Sequence, residues 1–173
     1  MNQRTITAAA VFCGANNGHD SAYRESATAL GTSLAQRDIL LVYGGSSCGL
    51  MGAVADACLA SGGRVTGVIP TALAKHEISH EGLDDLKLVE SMHERKAVMA
   101  SLVDVFIALP GGFGTLDESF EALTWTQLGL QQKPLGLLNI NGYYDDLLSF
   151  ANHQVNEGFV KPIHRPLILD GSV

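Results

Sequence analysis

The chain has 173 residues, of which 46% are hydrophobic and 17% are charged, and its net charge is −7 at neutral pH. This length predicts one domain, residues 1–173, that is large enough to bury a sizeable core. The acidic balance argues against nucleic acid as a partner, because nonspecific binding requires a basic face.

Three further features indicate where the protein works. No apolar run approaches the roughly 20 residues that a membrane helix requires, so no membrane partner is expected. The polar segment 1–7 lacks the pattern of a signal peptide. Cys13, Cys48 and Cys58 are odd in number and form no C-x-x-C pair, which is typical of free thiols in a reducing compartment. We therefore expect a cytoplasmic protein.

Short apolar runs alternate with stretches that have helical spacing. The predicted strands are 8–13, 38–43, 64–69, 86–89, 103–109 and 135–138, and the tail has room for a seventh at 167–169. The predicted helices are 22–34, 50–60, 92–102, 116–128 and 143–156, and the polar segment 71–85 leaves room for a short one. This alternation predicts an α/β fold with a doubly wound, mostly parallel sheet of six to seven strands and helices on both faces.

Glycines follow three of the predicted strands directly. They are Gly14, the pair Gly44 and Gly45, and the glycines of Pro110–Gly114. Ligands of such sheets bind beyond the carboxyl ends of the strands, where the strand order reverses. We expect these three turns to meet at one edge of the sheet.

The stretch Pro110–Glu121 contains the strongest indication of a ligand site in the sequence. Its three glycines precede a predicted helix, whose free N–H groups and positive dipole end favour an anion such as phosphate. A structural alternative is a capping box, in which Thr115 is the N-cap and Glu118 lies at the third helical position. The capping box leaves the run of three glycines without a reason.

The stretch 43–52 also joins a strand to a helix through glycines, but its spacing is not that of a dinucleotide-binding loop, and no P-loop motif occurs in the chain. Close packing between helix and strand and contact with a ligand explain these glycines equally well.

Residues 76–80 read H-E-x-x-H, the pattern of a zinc-binding helix with Glu77 as general base. The neighbours Lys75, Glu81 and Gly82 do not supply the apolar face of such helices. We expect no metal here, although Glu77 remains a useful acidic residue in the loop after the third strand.

Charged residues open the predicted helix at 92–102. Arg95 and Lys96 lie near its start, against the preference of a helix N-terminus for acidic groups. A solvated helix face is one explanation. The functional alternative is that Arg95 pairs with a phosphate or a carboxylate through two hydrogen bonds.

Pro110–Glu118 matches the PGGxGTxxE signature of the LONELY GUY (LOG) family, and the chain resembles that family over essentially Val11–Phe159. Further blocks in family order are 11–14, 43–45, 49–52, 92–96, 124–125 and 142–144. The resemblance implies a Rossmann-like fold and a homodimer with active sites near the interface. It also implies hydrolysis of the N-glycosidic bond of adenosine 5′-monophosphate or an N6-substituted form of it, giving free base and ribose 5-phosphate.

The family motifs assign residues by position. Arg95 and Glu118 take the catalytic positions. The substrate-binding positions fall on Glu77, Lys96, Gly112, Phe113, Gly114, Thr115, Leu116, Asp117 and Thr124. We expect no cofactor. Phe113 replaces a tyrosine of the plant enzymes, which bears on the choice of base.

Charge arguments agree with these roles. Cleavage of the glycosidic bond develops positive charge on the ribose, which a carboxylate stabilises. Glu118 near a helix N-terminus is expected to be ionised and to stabilise the cation or orient water, while Arg95 offsets the charge of carboxylate and phosphate. The alternatives are a carrier that binds a nucleotide or cofactor without turnover and a zinc hydrolase that uses His76 and His80.

Overall fold

The computed structural model describes residues 5–74, 79–80, 82–83 and 85–172. Seven strands form one sheet: β1 (Ala8–Phe12), β2 (Leu40–Tyr43), β3 (Val65–Pro70), β4 (Asp85–Val89), β5 (Val105–Ala108), β6 (Leu135–Asn139) and β7 (Ile168–Ser172). Their spatial order is β4-β3-β2-β1-β5-β6-β7, and each neighbouring pair is parallel. The predicted parallel sheet of six to seven strands is confirmed.

Six α-helices lie in the described part of the chain: α1 (Ser21–Gln36), α2 (Gly49–Ala60), α3 (Thr71–Ala74), α4 (Met92–Leu102), α5 (Phe113–Gln127) and α6 (Asp145–Asn156). Short 3₁₀ helices cover Ile140–Gly142 and Pro162–Leu167. Among these residues no helix combines the length and the apolar character needed to cross a bilayer.

The helices cover both faces of the sheet, as predicted. Successive residues of β1 point to opposite faces, as the two-residue period of a strand requires. Phe12 packs in the core shared with α4, α5 and α6, whereas Val11 packs in the core shared with α1 and α2. A strand buried on both sides reads as a continuous apolar run, which is why β1 could be found in the sequence.

The strand order reverses at β1. The chain adds β2, β3 and β4 on one side of β1, and then crosses through α4 to place β5 on the other side. The connections at β1 and β5 therefore diverge, and a crevice opens at the carboxyl ends of these two strands.

The start of α5 differs from the prediction. The helix begins at Phe113 rather than at Leu116, and its N-cap is Gly112, which has no side-chain cap. The predicted capping box is therefore wrong. Pro110–Gly112 completes the turn by itself, so helical backbone follows at once and Thr115 and Glu118 lie inside the helix.

Candidate active site

A cavity of about 430 Å³ occupies the crevice between β1 and β5. Its walls come from the residues after β1, the loop Pro110–Gly112 with the start of α5, the first residues of α2 and α4, and Tyr143. Two of the three predicted glycine turns, those at Gly14 and Pro110–Gly114, line this cavity directly. The N–H of Gly14 donates to the carbonyl of Pro110 at 3.1 Å, which joins these two turns.

The glycines of the α5 turn have two different surroundings. A side chain at Gly111 would collide with the side chain of Thr115, so this glycine serves packing. Gly112 and Gly114 line the cavity, and a Cβ atom built on either would meet no protein atom within 4 Å. The first N–H groups of a helix have no partner within the helix. This end of the cavity therefore offers bare backbone and a positive helix dipole to an anion.

Arg95 and Glu118 lie together in the cavity wall. Nη1 of Arg95 is 3.3 Å from Oε1 of Glu118, and both side chains are nearly buried. The contact is an ion pair by distance but lacks the geometry of a hydrogen bond, and Oε1 has no hydrogen-bond donor among the described residues. A buried carboxylate oxygen in this state is costly unless a ligand or water completes it.

The Arg95 guanidinium is held by protein from its other side. Its Nε donates to the carbonyl of Val68 in β3 at 3.0 Å. Gly44, at the end of β2, leaves room for it, since a Cβ atom there would collide with the guanidinium. The third glycine turn thus serves the site indirectly, by making space for Arg95.

Burial raises the pKa of Glu118 above its usual value, and the nearby positive charge of Arg95 opposes only part of this effect. The helix terminus was expected to favour the ionised form of this carboxyl, and burial shifts its pKa in the opposite direction. Glu118 is the sixth residue of α5, beyond the first turn in which the dipole acts, and it is enclosed by protein.

Cys13 forms part of the cavity wall but is not a nucleophile at neutral pH. Burial and the charge of Glu118 raise the pKa of its thiol well above the ordinary range. The reactive form of cysteine is the thiolate, which this site disfavours.

The predicted site residues divide into two groups. Those that line the cavity are Arg95, Gly112, Gly114, Thr115, Asp117 and Glu118. Those that lie elsewhere in the described structure are Lys96, Phe113, Leu116 and Thr124. Glu77 is outside the described residues. The roles assigned to all of them stay predictions.

Each residue of the second group has other contacts. The Lys96 ammonium pairs with Asp117 at 3.1 Å and with Glu121 at 2.9 Å. Leu116 packs against the core, and the Thr124 hydroxyl donates to the Phe120 carbonyl one turn earlier. Phe113 is 94% exposed beside the cavity mouth.

Several cavity residues were not predicted. They include Asn16, Asn17, Tyr23, Met51, Met92 and Tyr143. Asn16 and Asn17 follow β1 at the edge where the ligand was expected, so their position after a strand was a usable signal. Tyr143 follows β6 at the same distance as Asn16 follows β1, four residues after the strand ends, and it falls in the family block 142–144, so the same signal was available for it.

The H-E-x-x-H segment is described only in part, because residues 75–78 lie outside the described structure. Nε2 of His80 is 2.8 Å from a carboxylate oxygen of Asp56, and its Nδ1 accepts from the N–H of Gly82. Both ring nitrogens are therefore occupied. No group of three potential metal ligands occurs among the described residues.

Comparisons with known proteins agree with this architecture. A family described as "Possible lysine decarboxylase" matches residues 51–170. The probable cytokinin riboside 5′-monophosphate phosphoribohydrolase LOGL9 of Oryza sativa subsp. japonica is 49% identical over 98% of this chain and 74% of its own length. The cytokinin riboside 5′-monophosphate phosphoribohydrolase LOG7 of Arabidopsis thaliana is 51% identical over 92% of this chain and 73% of its own.

Solved structures of similar fold are more distant in sequence. The molybdenum cofactor binding protein of Rippkaea orientalis superposes with a TM-score of 0.71 at 23% identity, covering 98% of this chain and 91% of its own. The Moco carrier protein of Chlamydomonas reinhardtii superposes with a TM-score of 0.70 at 19% identity, covering 96% and 90%. At these identities the likeness concerns the Rossmann-like fold. The phosphoribohydrolases, in contrast, are about 50% identical across nearly the whole chain, and this identity shows that the chain belongs to the LONELY GUY (LOG) family.

Proposed function

We propose that the chain hydrolyses the N-glycosidic bond of adenosine 5′-monophosphate or of an N6-substituted form, releasing the free base and ribose 5-phosphate. The observation that carries this proposal is the buried Oε1 of Glu118, which lies beside Arg95 in the cavity wall without a hydrogen-bond donor among the described residues. Binding alone needs the anion site but not this carboxylate. The names of the relatives at about 50% identity support the same reaction.

The cavity provides a place for the phosphate and for the ribose of the substrate. The 5′-phosphate sits at the start of α5, against the N–H groups near Gly112 and Gly114. The ribose then lies next to Glu118, whose carboxylate stabilises the positive charge that develops at C1′ or orients the attacking water. The bond from C1′ to the base nitrogen breaks with its electron pair on the base, and water supplies a hydroxyl to C1′ and a proton to the base.

Arg95 has a supporting role in this scheme. Phosphate and carboxylate bring negative charge into one small cavity, and the guanidinium 3.3 Å from Glu118 offsets it. Its anchor on the Val68 carbonyl keeps that charge in place when the substrate is absent. The protein thereby presents an electrostatic arrangement that is already organised for the transition state.

A decarboxylase that uses pyridoxal phosphate finds little support in this cavity. Such an enzyme needs a lysine for the Schiff base. Among the described residues no lysine lines the cavity, and Lys96, the nearest in sequence to Arg95, is bound by two carboxylates.

The decisive experiment is incubation of the protein with adenosine 5′-monophosphate and with isopentenyladenosine 5′-monophosphate, followed by chromatography of the released base. We expect base and ribose 5-phosphate in equal amounts from at least one of the two. Binding of a nucleotide without release of base would instead identify a carrier. A stoichiometric amount of zinc in elemental analysis, with activity lost on chelation, would point to the histidine alternative.

We also propose that the protein is a homodimer whose contact includes the exposed side of α5. Phe113 and Phe120 are exposed and lie seven residues apart, so they share one side of the helix with Thr124. An exposed apolar stripe of this kind is typical of an interface. Thr124 lies about 16 Å along the axis from Phe113, so a second copy that brings its own cavity to this side would give Thr124 a substrate to bind.

Light scattering with size-exclusion chromatography tests the dimer. We expect twice the mass of the chain, and half of that for Phe120→Asp, which puts a charge into the contact. A monomeric mass for the unaltered protein would contradict the proposal.

We further propose that residues 1–173 act as one nucleotide-binding domain in the cytoplasm, where the free thiols of Cys13, Cys48 and Cys58 stay reduced.

A further inference from the structure

Tyr143 lies at the cavity mouth next to the glycine turn that precedes α5. We propose that Tyr143 is a positioning residue: its hydroxyl fixes the Gly111 carbonyl and thereby orients the backbone N–H groups that receive the phosphate. This inference rests on the phosphate position given under the proposed function. It adds a residue to which neither the motifs nor the comparisons give a role.

Three successive carbonyls of the turn are bound by protein donors. The Leu109 carbonyl accepts from the Tyr144 hydroxyl at 2.6 Å, the Pro110 carbonyl accepts from the Gly14 N–H at 3.1 Å, and the Gly111 carbonyl accepts from the Tyr143 hydroxyl at 2.6 Å. The two tyrosines are neighbours in sequence and reach alternate carbonyls. Together with Gly14 they fix the path of the turn.

Fixing a carbonyl also fixes the next N–H. The carbonyl and the N–H of a trans peptide point in opposite directions, so the bond to the Gly111 carbonyl sets the direction of the Gly112 N–H. Gly112 needs such a constraint because it has no side chain, no side-chain cap and no protein atom near its Cβ position. Without it, the peptide could rotate and turn a carbonyl oxygen, which repels phosphate, toward the ligand.

The turn before Tyr143 is strained in a way that places this side chain. Asn141 and Gly142 both have left-handed backbone, with φ of 51° and 73°. The Asn141 side chain donates to Asp20 at 2.9 Å, and the Asn139 side chain accepts from the Tyr144 N–H at 2.7 Å. Left-handed backbone at a residue other than glycine is costly and persists where surrounding contacts hold it, often at functional sites.

The hydroxyl of Tyr143 positions backbone rather than binding the phosphate itself. A phenol has one proton to donate, and this one is given to the Gly111 carbonyl. The oxygen then presents lone pairs, which repel an anion. Edge contacts with the rings of Tyr23 and Tyr144, at centroid distances of 5.7 and 5.0 Å, keep the side chain in this place.

The test is Tyr143→Phe, which keeps the ring contacts and removes the hydroxyl. Isothermal titration calorimetry would measure the affinity of the full chain for ribose 5-phosphate and for adenosine, which lacks the phosphate. We expect affinity for ribose 5-phosphate to fall about 3- to 10-fold, the effect of one hydrogen bond, with affinity for adenosine unchanged. A general loss of structure would lower the affinity for both ligands.

Tyr43→Phe is the matched control. Tyr43 is fully buried in the other half of the sheet, and its hydroxyl has no hydrogen-bond partner among the described residues, so both affinities should stay at the wild-type values. The inference would be overturned if Tyr143→Phe lost affinity for ribose 5-phosphate and for adenosine equally, or lost affinity for neither. Failure of the wild type to bind ribose 5-phosphate would also overturn it. Binding of ribose 5-phosphate without release of base from nucleotides would refute the proposed reaction alone.

Discussion

The start of α2 and the start of α5 both join a strand to a helix through glycines. Protein fills the space around Gly49 and Gly52 at α2, whereas two of the three glycines at α5, Gly112 and Gly114, face open space. At α2, a Cβ atom on Gly49 would collide with the backbone of Ala15, and one on Gly52 with the backbone of Ser47. At α5, Gly112 and Gly114 would meet nothing. The same residue type therefore allows close packing in one turn and access to a ligand in the other.

The two helices also differ in whether they bring a carboxylate to the cavity. Neither helix has an acidic residue in its first turn, but α5 brings Glu118, its sixth residue, into the cavity wall beside Arg95, whereas Asp56 of α2 contacts His80. If chemistry resides at the α5 side, substitutions there should change turnover and binding, and substitutions at α2 should change stability.

The largest effect is expected from Glu118→Gln. This substitution keeps the shape of the side chain but removes its charge, so the release of base should fall about 10²- to 10⁴-fold. Affinity for ribose 5-phosphate should change little. The measurement is single-turnover release of base, with circular dichroism as a check on folding.

Glu121→Gln is the matched control, because Glu121 is on the same helix and contacts Lys96 but does not line the cavity between β1 and β5. It should lose far less activity. Turnover near the wild-type rate in a folded Glu118→Gln protein would refute the catalytic assignment.

The pH dependence of turnover is the next effect. Burial raises the pKa of Glu118, and the carboxylate is the active form, so activity should be full above this raised pKa and fall about tenfold per pH unit below it. The acid limb of kcat/KM should therefore lie at a higher pH than an ordinary glutamate gives. The measurement is kcat/KM across the acid range.

The substrate phosphate also titrates, with a second pKa near 6. The pH profile of the residual activity of Glu118→Gln separates the titration of the phosphate from that of Glu118. This variant should keep the acid limb that the phosphate causes and lack the acid limb that Glu118 causes. Identical profiles for both proteins would show that Glu118 does not control the limb.

At the α2 side, Gly52→Ala should lower the free energy of unfolding by about 1–3 kcal/mol, because the new methyl group has to displace the Ser47 backbone. Turnover per folded molecule should stay unchanged. Urea denaturation measures the loss as a lower midpoint at constant m-value. Gly136→Ala in β6, where the same methyl group meets no atom within 4 Å, should not show this loss.

The centre of the sheet was predictable because β1, β2 and β3 are almost continuously buried and appear as apolar runs, whereas the edge strand β4 is partly exposed and carries charged residues. The start of α5 was not predictable. The Thr115-x-x-Glu118 spacing fits a cap as well as it fits the inside of a helix, and the actual cap, Gly112, has no side chain to mark it.

Long-range contacts explain the rest of what the sequence did not reveal. The hydroxyl of Tyr143 reaches the Gly111 carbonyl across 32 residues of chain, and the order of the strands that makes this contact possible is a property of the whole sheet. Lys96 follows Arg95 directly, yet its ammonium pairs with Asp117 and Glu121, and Lys96 does not itself line the cavity. Neighbours in a helix do not share a side, so position in a motif alone did not predict which of the two lines the site.

The smallest effect on stability, and the sharpest test of the comparison, is expected from Gly114→Ala. Gly114 lies inside the first turn of α5 with open space around it, so alanine should raise the free energy of unfolding by about 0.4–1 kcal/mol. The same methyl group projects where a phosphate would approach the backbone, so affinity for ribose 5-phosphate should fall. Thermal unfolding and calorimetry on one sample measure both quantities. A protein that gains stability and keeps its affinity would show that the open glycine serves no ligand, and the contrast between the two helix starts would then be one of packing alone.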